Sequence, residues 1–231
     1  MKAYDPHSPL ISLHIPKTGG TSLRHTLGEW FPEGRLFTHY FANGQLPARH
    51  HLTGNVCVHG HFNAARGFGC TQYYPDIDQF ITFLREPFER FLSTWFFRSA
   101  LRRTGIFTAG SETDTDFKTY LFDCAELMAQ NRYLHTFLHQ FPDTAHYSES
   151  IGLMDRKFVF VGIMERYPDS LNALGTSLGK PPSTVAHLNQ SEHTEDFGAW
   201  RGFYEKHFAP EYEIYEAALS RNAELIRLYS S

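Results

Sequence analysis

The run LISLHI at residues 10–15, followed at once by PKTGGTS at residues 16–22, constrains this chain more than any other stretch. A short apolar run with β-branched residues, ended by a proline, predicts a buried strand. After the turn, Thr21 or Ser22 is expected to cap a helix whose Leu23, Leu27 and Trp30 or Phe31 recur at helical spacing up to Pro32. Strand, Gly-rich turn and helix start, in that order, form the opening unit of a parallel α/β sheet.

The same unit recurs. FITFL at residues 80–84 predicts a strand, and Pro87 opens a helix with Phe88, Leu92, Trp95 and Phe96 on one face. FVFVGI at residues 158–163 predicts another strand, with a helix through Leu171 and Leu174 and a break at GKPP, residues 179–182. VCVHGH at residues 56–61 alternates and reads as a strand ending in a polar turn. Residues 32–55 show no periodicity and read as loop with a short helix, 101–116 as a surface loop, and 117–141 as mostly helical. The tail from Trp200 reads as helical, with Tyr212, Tyr215, Leu219, Leu225 and Leu228 inward. Strands alternating with helices predict an α/β fold, a P-loop-like three-layer sandwich with a central, mainly parallel sheet flanked by helices. The 231 residues suit one domain, 1–231, with residues 101–145 a loop and helical insertion.

Composition excludes several functions. The formal net charge of -4 gives no basic excess for nucleic-acid binding. Cys57, Cys70 and Cys124 are odd in number and lack CxxC spacing, which argues against a disulfide framework or a zinc ribbon and fits reduced thiols in a cytoplasmic protein. No segment has the roughly 18 apolar residues of a membrane helix, and residues 1–10 do not resemble a signal peptide, so no membrane insertion is expected. A lumenal domain separated from its anchor would read the same way.

Three short stretches carry chemistry. In PKTGGTS, backbone N–H groups at a Gly-rich turn, the positive end of the next helix, the Lys17 ammonium and the Thr21 and Ser22 hydroxyls form an anion site suited to phosphate. The ATP-type loop needs GxxxxGK[ST], whereas Lys17 here precedes Gly19 and Gly20, which disfavours a nucleotide kinase. In REPFERFLS, residues 85–93, Arg85 sits at a strand end and Ser93 two turns into the next helix, a fork and a hydroxyl suited to a second phosphate. A plainer role is also open, in which Arg85 pairs with Glu86 or Glu89 and Ser93 packs. In VHGH, His59 and His61 share one strand face; with no further ligands in sight they suit a general base better than a metal, and no metal is expected.

Together these stretches resemble a known family. PKTGGTS resembles the 5′-phosphosulfate loop, and REPFERFLS the 3′-phosphate motif, of sulfotransferases that use 3′-phosphoadenosine 5′-phosphosulfate (PAPS). VHGH is similar to the HGH of the heparan sulfate 2-O-sulfotransferase branch. VGIMERYPDSL at residues 161–171 is similar to a later family segment, QNRYL at 130–134 and HLNQS at 187–191 more faintly so. The resemblance implies PAPS as sulfuryl donor and a carbohydrate hydroxyl as acceptor. It implies that Lys17 meets the bridging oxygen, that Thr18, Gly19, Gly20, Thr21 and Ser22 cradle the 5′-phosphate, and that Arg85 and Ser93 hold the 3′-phosphate. His61 would be the base, with His59 in support. Glu86 stands where the family has Asp. A small alcohol, a phenol or a peptide tyrosine remains open as acceptor, as does a non-catalytic nucleotide binder. Arg98, Arg102 and Arg103 could meet an acidic sugar or simply form a solvated helix face. His135 and His139 are assigned to surface or packing.

Overall fold

The computed structural model describes residues 1–42, 44–105, 116–130, 140–141, 147–183 and 196–229. The strands β1 (Leu10–Leu13), β2 (Leu36–His39), β3 (Cys57–Gly60), β4 (Phe80–Leu84) and β5 (Phe158–Ile163) form one parallel sheet in the order β2-β3-β1-β4-β5. The helices are α1 (Gly20–Trp30), α2 (Cys70–Tyr73), α3 (Pro87–Arg103), α4 (Phe117–Ala129), α5 (Tyr147–Lys157), α6 (Tyr167–Ser177), α7 (Arg201–His207) and α8 (Ala209–Tyr229).

Both faces of the sheet are apolar, as a parallel sheet under crossover helices requires. Alternation along β4 divides its side chains: Phe80 and Leu84 join Ile11, Leu13, Val58, Leu153 of α5 and Ile214 of α8, whereas Ile81 and Phe83 join Leu23 and Leu27 of α1 and Leu171 and Leu174 of α6. These are the two outer layers of the sandwich. A third cluster, built from Phe88 and Phe91 of α3, Leu121 of α4 and Tyr204 and Phe208, ties α3 to α4 and α7. The three cysteine thiols are free and buried. Among the described residues no helix is long and apolar enough to cross a membrane.

Several expectations change. Residues 36–39 form a strand within the stretch read as loop, because four residues are too few to show periodicity and β2 gains its order by pairing with β3. β1 stops at Leu13 rather than residue 15. Thr21 and Ser22 do not cap α1; Gly19 occupies the cap position in the left-handed region (φ 74°, ψ 17°) with no side-chain hydrogen bond. The helical tail breaks between α7 and α8, and Leu228 is exposed. Residues 106–115, 131–134, 187–191, His135 and His139 lie outside the described residues.

The order places β1 between β3 and β4, so the chain leaves β1 first toward one side of the sheet and later toward the other. The loop after β1 therefore lies at the switch point, outside the carboxyl ends of the strands, where ligands bind in open α/β sheets. In-register pairing of Leu13 with Gly60, and of Gly60 with His39, delivers His14, His61 and Tyr40 to that same edge, and β4 delivers Arg85 there.

Candidate active site

The loop after β1 is held from within. The buried Thr18 hydroxyl donates to the Ile15 carbonyl at 2.8 Å, and Lys17 adopts φ +70°, the one positive φ outside glycine among the described residues. A non-glycine residue in that region is strained, and such strain collects at ligand-binding turns. Leu23 N donates to Gly19 O, so the N–H groups of Gly20 and Thr21 precede the first helical hydrogen bond and have no acceptor inside the helix. The first turn of α1 has no side-chain cap and no acidic residue, which leaves its positive end for an external anion.

Lys17 and Arg85 lie near enough to feel each other's charge. The Lys17 ammonium lies 4.5 Å from the centre of the Phe97 ring, and burial, followed by the positive charge of Arg85, holds its pKa below that of a free lysine. Among the described residues Arg85 approaches the Glu89 carboxylate, at 3.8 Å, and pairs with no other carboxylate. Ser93 is buried on α3. Glu86 instead caps α3 by accepting from Glu89 N at 2.7 Å and binds the Arg201 guanidinium and the Tyr212 hydroxyl. That carboxylate is structural: it fixes the start of α3, and thus Arg85, against the last two helices.

The histidines form a stacked group beside the loop. His14 and His61 stack at 4.3 Å between ring centres, and His14 and His59 at 5.2 Å. His61 Nδ1 lies 2.7 Å from the His14 carbonyl. A carbonyl only accepts, so Nδ1 carries the proton and Nε2 presents its lone pair. Burial lowers the His61 pKa, which keeps the ring neutral near pH 7. His59 is fully buried, with Nδ1 2.9 Å from Ser12 Oγ, and burial pushes its pKa down to about 3. It supports the group from behind rather than reaching the cleft.

A cavity of about 250 Å³ beside the histidines is lined by His14, Pro16, His61 and Phe62 together with Phe41, Asn63, Arg66 and Phe68. Phe41 stacks on Phe68 at 13°, and the Arg66 guanidinium lies 5.2 Å from the Phe41 ring. Two of the α3 arginines are engaged elsewhere: Arg98 donates to the Tyr120 hydroxyl, and Arg102 lies over Trp95 and donates to Ser99. No group of three or more His, Cys, Asp or Glu side chains suited to a metal occurs among the described residues.

Sequence reasoning missed His14 and Tyr40, whose Nδ1 and hydroxyl are 3.0 Å apart, and the Phe41–Arg66 wall. His14 opens the very loop that drew attention, but only the β1–β3 register reveals that it meets His61. Tyr40 follows a strand that the sequence does not announce.

No curated protein matches the chain. Among solved structures it is similar to mouse sulfotransferase SULT7A1 in complex with PAP, at 12% identity and a TM-score of 0.50, over 99% of this chain and 88% of that one. That likeness concerns the fold. The profile of the sulfotransferase family matches residues 3–161, more than half of the sequence. That match spans the uncapped helix start beside Lys17 and the switch point of the sheet, and the chain belongs to the sulfotransferase family.

Proposed function

We propose that the chain moves the sulfuryl group of PAPS to a hydroxyl of a carbohydrate, with His61 as general base. The donor site suits a bis-anionic nucleotide: an uncapped helix start without acidic residues, and two cations, Lys17 and Arg85, close enough to repel each other until an anion lies between them. The bound nucleotide supplies an activated sulfuryl group whose departure leaves negative charge on a phosphate. Lys17 and the N–H groups of Gly20, Thr21 and Ser22 stabilise that charge, while Arg85 and Ser93 hold the 3′-phosphate.

The observation that carries the assignment is the hydrogen bond from His61 Nδ1 to the His14 carbonyl, which turns a neutral Nε2 toward an acceptor proton beside the cavity. A cavity with a flat aromatic wall at Phe41, rimmed by Asn63 and Arg66, suits a sugar ring: its C–H face packs on the aromatic and its hydroxyls meet the polar rim.

Transfer of radiolabelled sulfate from PAPS to a panel of glycans, phenols and tyrosine peptides tests the reading. Glycans are expected to be labelled, and His61→Ala to lower kcat by roughly 100-fold or more. Labelling of phenols or peptides alone would reject the carbohydrate acceptor, and full activity of His61→Ala would reject the base. Thermal stabilisation by ATP but not by adenosine 3′,5′-bisphosphate would reject the donor.

A further inference from the structure

One residue at the centre of the site has no part in the reaction as written above. The edge of the His14 imidazole packs so closely on Gly20, in the first turn of α1, that a Cβ there would lie 1.9 Å from its Nε2. Its ring stacks on His61 with an interplanar angle of 25° and on His59 with one of 15°. Its Nδ1 is held at 3.0 Å by the Tyr40 hydroxyl, and its own carbonyl accepts the hydrogen bond from His61 Nδ1. His14 thus touches the donor loop with one edge and the base with both its ring and its backbone.

We propose that His14 is a positioning residue that couples occupancy of the donor loop to the state of the base, its ring fixing the plane and hydration of His61 and being itself fixed by Gly20 and Tyr40. The inference rests on His61 being the base.

A flat, uncharged ring against one face of His61 excludes water from that face without placing a charge beside it. His14 stays uncharged because it is buried, and because a charge on it would also be repelled by Arg24 and Lys17. The groups facing the stack are Lys17 from its own loop, Arg24 from α1, His59 and His61 from β3 and the turn after it, and His39 and Tyr40 from β2 and the residue after it. Burial holds the Tyr40 phenol protonated, with its pKa raised to about 12. Gly20 is where the two sites meet: an anion that draws in the N–H groups of α1 moves the surface against which His14 rests.

The test is ¹⁵N NMR of the His61 ring in the full chain, titrated with pH and with adenosine 3′,5′-bisphosphate, beside kinetics with PAPS and an accepted glycan. In the wild type the bisphosphate is expected to shift the His61 ring signals. In His14→Ala the shift is lost, kcat falls by roughly tenfold or more, and the acid limb of kcat/KM moves up toward an ordinary histidine as water reaches His61. His14→Phe, which restores a flat ring between Gly20 and His61, recovers most of the acid limb. A merely structural role would lower stability without moving either the limb or the ring signals.

Unchanged His61 signals and an unchanged limb in folded His14→Ala would overturn the proposal. If that variant does not fold, Tyr40→Phe, which removes only the hydroxyl, decides: the same shifts at smaller amplitude support the proposal, and none overturns it. A wild type that transfers no sulfate to any acceptor would reject the proposed function, while the ring signals would still report on His14.

Discussion

Lowering the pH from 7.5 to 5.0 should weaken this fold through its histidines before any carboxylate takes part. His39 and His59 are both fully buried, and burial pushes their pKa values from 6.5 down to about 4 and about 3. Because the unfolded chain takes up protons on these rings below pH 6.5 and the folded chain does not, their contribution to stability is present above 6.5 and declines as pH falls through the window to about 4. At one and a half units below 6.5, each ring costs about 2 kcal/mol, so the pair costs about 4 kcal/mol at pH 5. That is a large share of the 5–15 kcal/mol typical of a domain. His14, with its pKa pushed to about 2, acts in the same direction. Asp5, Asp116 and Asp155, whose pKa values are depressed by hydrogen bonds and neighbouring cations, weaken the fold only below the carboxylate range, so the window isolates the histidines. Urea unfolding followed by circular dichroism at pH 7.5, 6.5 and 5.0 measures the loss. His39→Phe provides the control, since the ring already stacks on Phe62 at 4.2 Å and meets Tyr73 edge-on; it should reduce the loss by about 2 kcal/mol. A loss below about 1 kcal/mol between pH 7.5 and 5.0, or an equal loss in His39→Phe, would refute the reasoning.

Three further outcomes follow from single contacts. Arg85→Ala should weaken binding of adenosine 3′,5′-bisphosphate by roughly 10- to 100-fold, as loss of a charge-assisted hydrogen bond does, read by titration calorimetry; unchanged affinity would remove Arg85 from the donor site. Arg90→Met should cost about 3–5 kcal/mol because it removes the guanidinium 3.0 Å from the buried Glu211 carboxylate, whereas Arg90→Met with Glu211→Leu should recover most of that; the comparison is made by urea midpoint. Gly60→Ala places a Cβ 1.9 Å from the His39 carbonyl oxygen, a backbone atom that cannot step aside, and should cost about 1–3 kcal/mol or more, seen as a fall in Tm.

Legibility followed the range of the force involved. β4 and β5 could be read from the sequence because strands buried on both faces are continuous apolar runs, and α3 because Pro87 marks its first turn. β2 could not, since its half-buried LFTH is ordered by its neighbour rather than by its own pattern. The cap of α1 was misassigned for a related reason: hydroxyl residues are good caps in general, but here the helix begins one residue after a left-handed Gly19, which leaves Thr21 and Ser22 inside the first turn. Leu228 keeps the period of α8 but stands 64% exposed, because the period does not record where a helix outruns the layer it covers.

The two halves of the site differ in the same way. A donor loop is made of consecutive residues, so PKTGGTS shows its lysine, its glycines and its helix start in one glance. The proposed base is made of register. His61 becomes a neutral acceptor of protons only because β1 and β3 pair with Leu13 opposite Gly60, which puts the His14 carbonyl within 2.7 Å of His61 Nδ1. Shifting that register by one residue would send His59 to the other face of the sheet and break the bond that sets the tautomer. The glycine in VHGH is therefore as much a part of this arrangement as the histidines around it: the His39 carbonyl occupies the space a side chain would take, and the strand that brings Tyr40 to His14 can approach only there.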